Sequence, residues 1–194
     1  MIYYRKIPWD NLDLLQAKTM DYLTKNRPDM LNRKGGASYW TMHDREILKW
    51  VPEINAGAAK YGLVCDYTAA FVMHRTGDGP LHIDNFTYET RINFPILNCA
   101  GTRTQFYTGR NEDGVKHYSS NNSSAGTTVK IPKTASTVLL DEVEVDCVTV
   151  LRVNTAHSIW MPPNAPKPRI TLTLGFDKDP TFLLDADLSS LNTA

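Results

Sequence analysis

A mainly β fold, a barrel or two-sheet jelly roll with helices packed on its outside, is what this sequence predicts. Three observations carry that expectation. Short runs rich in Val, Ile, Thr, Tyr and Phe recur from Gly62 onward. Gly, Pro, Asn and Asp punctuate them as turns. The first third of the chain instead spaces its apolar residues helically. With 194 residues, 42% of them hydrophobic, the chain suits one domain with a sizeable core.

Residues 1–61 read as the helical part and 62–177 as the jelly-roll core, with 178–194 as a tail. Asp10 to Lys25 carries Leu12, Leu15, Thr19 and Leu23 on one helical stripe, with Asp10 placed as the N-cap. Met42 to Lys60 reads as a second helical region, interrupted near Pro52. Leu63 to Arg75 is the first strand-like run, ended by Gly77-Asp78-Gly79-Pro80 as a turn. Further strands are expected at Leu81–Asn85, Thr90–Asn98, Thr102–Thr108, Thr127–Ile131, Thr137–Leu140, Val148–Asn154, Ala156–Met161 and Arg169–Phe176. Gly109 to Gly126 is almost wholly polar and reads as a solvated loop, placed where a lid over a site could lie.

Composition weighs against several classes, though a local basic patch can sit within a neutral total. Lys plus Arg and Asp plus Glu each number 21, so the chain lacks the basic excess expected of a nucleic-acid binder. The N-terminal stretch has no apolar signal-peptide core, and no segment is long enough to span a membrane. Cys65, Cys99 and Cys147 are odd in number and widely spaced, which fits small buried thiols in a reducing cytoplasm.

His82 and Asp84 stand at i and i+2, so in a strand both side chains point to one face and Ile83 to the other. Alone, the pair is equally well a solvated strand. His157, in Asn154-Thr155-Ala156-His157-Ser158-Ile159-Trp160, offers a second imidazole. Two histidines and a carboxylate on one face of an iron(II) leave neighbouring positions open for a chelating 2-oxo acid and dioxygen. Zinc more typically takes a tetrahedral site. His43 and His117 read as solvated, and His74 as packed, surface or supporting the site. If the strands around the proline-rich turn pair as a hairpin centred near Pro163, His157 lies opposite Arg169 and Thr155 opposite Thr171. An inward Arg169 needs an anion, and its guanidinium fork matches a carboxylate. The competing reading sets Arg169 at an exposed strand start.

Gly77-Asp78-Gly79-Pro80-Leu81-His82-Ile83-Asp84, then His157, then Arg169-Ile170-Thr171 twelve residues on, resemble the 2-oxoglutarate/Fe(II)-dependent dioxygenase superfamily, with aspartyl/asparaginyl and prolyl hydroxylase-like members. The resemblance spans residues 62 to 177 and implies a double-stranded β-helix of cupin-like form. It implies His82, Asp84 and His157 as metal ligands and Arg169 with Thr171 on the 2-oxoglutarate C5 carboxylate. Arg91-Ile92-Asn93-Phe94-Pro95-Ile96 looks like the strand after the metal motif in the aspartyl/asparaginyl β-hydroxylases, with Arg91 nine residues after His82. That likeness implies Arg91 near the C1 carboxylate and Asn93 beside it, against a plain Arg91–Glu89 salt bridge. Many of those β-hydroxylases lack the metal carboxylate that Asp84 would supply.

The implied reaction is hydroxylation of an unactivated C–H bond of an amino-acid side chain or related small molecule, free or peptidyl. Dioxygen is consumed, and succinate and carbon dioxide are coproducts. Tyr107 and Trp160 are placed as pocket-lining candidates, with core packing as the alternative for each. The competing class is a non-enzymatic, metal-binding jelly roll of cupin type.

Overall fold

The computed structural model describes residues 1–32, 39–43, 45–85, 88–109, 116–119, 127–134 and 136–186. In chain order the elements are β1 (Tyr4–Lys6), α1 (Leu12–Asn26), α2 (Pro28–Leu31), β2 (Tyr39–His43), α3 (Ile47–Trp50), α4 (Glu53–Ala59) and β3 (Cys65–Met73). There follow β4 (Gly77–Asp78), β5 (His82–Asn85), β6 (Thr90–Leu97), β7 (Arg103–Tyr107), β8 (Lys116–Ser119), β9 (Thr127–Lys130) and β10 (Leu139–Glu144). The chain closes with β11 (Thr149–Arg152), β12 (His157–Met161), β13 (Arg169–Phe176) and α5 (Phe182–Asp185).

The chain is mainly β, built as two antiparallel sheets. One runs β1-β11-β6-β13-β3-β2 and the other β10-β7-β12-β5-β9-β8, with β4 paired to β12. Eight strands in chain order, β3, β5, β6, β7, β10, β11, β12 and β13, supply four neighbours to each sheet. That winding is the jelly roll, a double-stranded β-helix.

The first sheet is buried on both faces, and strand parity separates them. Ile92, Phe94 and Ile96 of β6 and Ile170, Leu172 and Leu174 of β13 point into an apolar layer with Leu15, Leu23, Ile47 and Ile54 of the helices. Arg91 and Asn93 of β6 and Thr171 and Thr173 of β13 alternate with them and point toward the second sheet. On α1, buried Leu15, Thr19, Tyr22 and Leu23 form the stripe that seats the helix. Trp9 caps this layer edge-on to Phe94, with ring centroids 4.7 Å apart. Gly57 of α4 must be glycine here, because a Cβ would lie 2.2 Å from the Trp9 ring.

Several expectations shift. α1 starts at Leu12 with Asn11 at the N-cap, and Asp10 forms an ion pair with Lys60 instead. Tyr39–His43 is a strand at the sheet edge, so the expected helix from Met42 resolves into β2, α3 and α4. His43 and His117 therefore stand on strands. The expected turn at Gly77 pairs with β12 as β4. Within Gly109–Gly126, Lys116–Ser119 is a strand paired to β9; the lid expectation for residues 110–115 and 120–126 lies outside the described residues. Among the described residues no helix is long and apolar enough to cross a membrane.

Candidate metal centre

β5 presents His82 and Asp84 on its inner face, and β12 presents His157 directly opposite His82 in register. One ligand atom from each of the three lies within 4.8 Å of the others. His82 Nε2 is 3.7 Å from Asp84 Oδ1, and the two imidazole centroids are 4.3 Å apart. Ile83 points the other way into a small apolar cluster with Val129, Ile131, Leu81 and Ala156, which anchors the strand. The Asp84 amide donates to Val153 O at 2.9 Å, tying β5 to the end of β11.

Both imidazoles are held by the same device. His82 Nδ1 lies 2.8 Å from Pro80 O, and His157 Nδ1 lies 2.8 Å from Thr155 O. A carbonyl oxygen only accepts, so each Nδ1 carries the proton and each Nε2 keeps its lone pair for a metal. Burial pushes the His157 imidazole down to about 4, His82 pushes the same way, and Asp84 opposes them. His157 is therefore a neutral ligand at pH 7. Two Nε2 atoms and one carboxylate oxygen are a donor set suited to iron(II), with positions left over for exogenous ligands.

The cavity holding the trio is lined across the gap by Arg91, Asn93, Thr171 and Thr173 of the first sheet. Phe71, Leu151, Val153 and Ile159 supply apolar walls. Thr173 Oγ1 donates to Asn93 Oδ1 at 2.7 Å, a cross-strand pair in register. Burial lowers the Arg91 pKa, while Asp84 and Tyr67 pull it back up. Glu89, the partner that the plain salt-bridge reading gives Arg91, pairs with Arg152 at 2.5 Å.

Arg169 is 1% exposed and precedes Thr171 by two residues on the same inner face. Its Nε donates to Thr102 Oγ1 at 2.8 Å, and Thr102 Oγ1 in turn donates to Cys99 O at 2.6 Å. A second guanidinium nitrogen lies 3.5 Å from Thr171 Oγ1. The exposed-start reading of Arg169 is thus overturned. The hairpin is overturned too, because β12 and β13 belong to different sheets and do not pair. His157 and Thr171 still face one cavity, across the sandwich rather than along one ladder.

Tyr107 and Trp160 do not join them. From β7, Thr104 and Phe106 turn inward, Phe106 to 6.3 Å from the His157 ring. Tyr107 packs on the Ile83 cluster and donates to Gln105 Oε1 at 2.8 Å. Trp160, three residues beyond inward His157, stacks under Arg103 on the outer face. His74 is structural, with Nε2 2.8 Å from Met30 O. Thr102, Thr173 and Phe71 are site residues the sequence does not announce. Thr173 carries a signal in its i+2 spacing from Thr171; Phe71 and Thr102 carry none.

No known protein family matches the sequence, and no curated protein matches it. Among solved structures the chain is similar to AviO1 from Streptomyces viridochromogenes Tue57, at 14% identity over 92% of this chain and 90% of that one, with a TM-score of 0.45. It is similar to a Pseudomonas putida prolyl-4-hydroxylase at 13% identity over 91% and 92% of the two chains, TM-score 0.42. Cellulomonas parahominis L-ribose isomerase follows at 17% identity over 98% and 91%, TM-score 0.36.

Proposed function

We propose that this protein is an iron(II)- and 2-oxoglutarate-dependent dioxygenase that hydroxylates an amino-acid side chain or related small molecule. The observation that carries the reading is the convergence of two Nε2 donors and one carboxylate on a cavity whose opposite wall holds buried arginine and hydroxyl groups. His82, Asp84 and His157 would hold the metal. Bound iron(II) with 2-oxoglutarate would supply the oxidising power for an unactivated C–H bond, with succinate and carbon dioxide released.

The chain's own residues do the rest. The carbonyls of Pro80 and Thr155 hold the two rings in the ligating tautomer. Arg169, oriented by Thr102, and Thr171 take the C5 carboxylate in two-point fashion. Arg91, on the same sheet face with Asn93, balances negative charge at the metal end. Phe71, Leu151, Val153 and Ile159 keep water from the reacting carbon.

Anaerobic addition of iron(II) and then 2-oxoglutarate tests the reading. The expected outcome is a weak visible charge-transfer band that Asp84→Ala removes, followed by succinate release when air is admitted. Stoichiometric metal uptake without band or succinate would instead support a cupin-type binding protein.

A further inference from the structure

A second cavity, of about 220 Å³, opens beside the metal trio and shares His82 and Ile159 with it. Its remaining wall is Met73, Arg75, Thr76, Asp78, Gly79 and Pro80, the stretch between β3 and β5 together with the last residue of β3. We infer that this cavity seats the substrate and that Arg75 selects one carrying a carboxylate. The inference rests on the oxygenase reading above, and it names the substrate class for that site.

The argument is one of position and charge. His82 is the only metal-trio member in this wall, and neither Arg169 nor Thr171 lines it, although Met73 stands opposite Arg169 in register. Met73 and Ile159 belong to a small apolar cluster with Met161 and Ala165, which gives the floor an apolar body to meet. Among the described residues, two charged side chains line the cavity, Arg75 and Asp78. Asp78 is neutralised by Lys133 at 3.2 Å, and that lysine also donates to the Tyr107 hydroxyl. Arg75 makes no ion pair among the described residues. The uncompensated charge in the wall is therefore positive, and a guanidinium prefers a carboxylate over a neutral amide.

The wall is also held in place. His74, the neighbour of Arg75, is fixed to Met30 O. The Gly79 amide donates to Ile159 O at 2.7 Å, and a Cβ on Gly79 would come within 3.1 Å of that oxygen. Glycine thus lets the segment lie flat along β12, leaving Arg75 a fixed root and a free head. An apolar body with an acid group at one end fits this wall, whether a free small acid or an acidic residue of a peptide.

The probe is 4-methylpentanoate, set against its neutral isostere 4-methylpentanamide. Protein carrying ¹³C-methyl methionine is loaded with zinc(II), a diamagnetic stand-in, and excess 2-oxoglutarate, and the Met73 methyl signal is followed by NMR. The acid should shift Met73 and bind about tenfold or more tightly than the amide. Arg75→Gln should erase that preference while 2-oxoglutarate affinity stays at the parent value. A blocked pentapeptide with one central Asp, run in parallel, separates a peptide-borne carboxylate from a free one. Equal binding of acid and amide overturns the inference, as does an Arg75→Gln variant that keeps the preference or loses 2-oxoglutarate instead. Failure of zinc and 2-oxoglutarate to bind would strike the oxygenase reading, whereas the Met73 response in the same tube judges Arg75 by itself.

Discussion

Replacing Arg169 by methionine removes a buried cation while keeping most of its volume, so the loss reports on charge rather than on a hole in the core. The parent side chain is 1% exposed, held by Thr102 through Nε and set beside Thr171 through a second nitrogen. Breaking a desolvated, hydrogen-bonded charge pair costs about 2–5 kcal/mol, much of it from stranding the other charge. At about 1.4 kcal/mol per decade, 2-oxoglutarate should bind roughly 30- to 4,000-fold more weakly. Iron(II) affinity should change little, since no metal-ligand atom is touched. Arg169→Lys should recover part of the loss, because the charge returns without the fork. Anaerobic titration followed by the charge-transfer band measures both affinities, and thermal melting checks that each variant folds. A folded Arg169→Met protein that binds 2-oxoglutarate like the parent would refute the reasoning and move the cosubstrate anchor to Arg91, Arg152 or Lys167.

Three further outcomes are expected. His82→Ala should lose stoichiometric iron in metal analysis while its far-ultraviolet circular dichroism stays that of the parent; full succinate production at saturating iron would contradict the assignment. Tyr107→Phe and Trp160→Ala face away from the site and should leave turnover within about twofold, so a tenfold loss in either would put the outer face into the chemistry. For Asp179, burial raises the carboxyl pKa, but donors from Thr181, the Glu89 amide and Thr90 outweigh it and leave the pKa below the usual value. Stability from that group is present above the unfolded carboxyl pKa, about 3.9, and drains away as pH falls through the lower folded value. Asp179→Asn should cost about 1–2 kcal/mol near neutrality, given its partial exposure, and flatten urea-midpoint dependence below pH 4; an unchanged acid profile would be the contrary result.

Strand parity made the grouping of His82 and Asp84 legible. The spacing of His82 and Asp84 commits both to one face of any strand, and tertiary structure had only to bring His157 across. The same parity sets Trp160, at an odd step from His157, and Tyr107, beside Phe106, on the outer face. The partner of a strand is different in kind. Nothing in Ser158 to Pro168 distinguishes a turn within one sheet from a crossing between two, because that choice is made by the loop closures of the whole winding. The β1 strand, Tyr-Arg-Lys, is short and edge-bound, so it carries too few buried side chains to print a period.

All eight residues of β13 are buried, and neighbouring residues serve opposite masters. Leu172 and Leu174 fasten the helices, while Thr171 and Thr173 face the cavity. The strand is therefore phase-sensitive. Inserting a single residue near Ile170 would exchange the faces downstream, driving two threonines into the helix-bound layer and two leucines into the cavity. A change of length in this strand, unlike a change of letter, would forfeit helix packing and the cavity lining together.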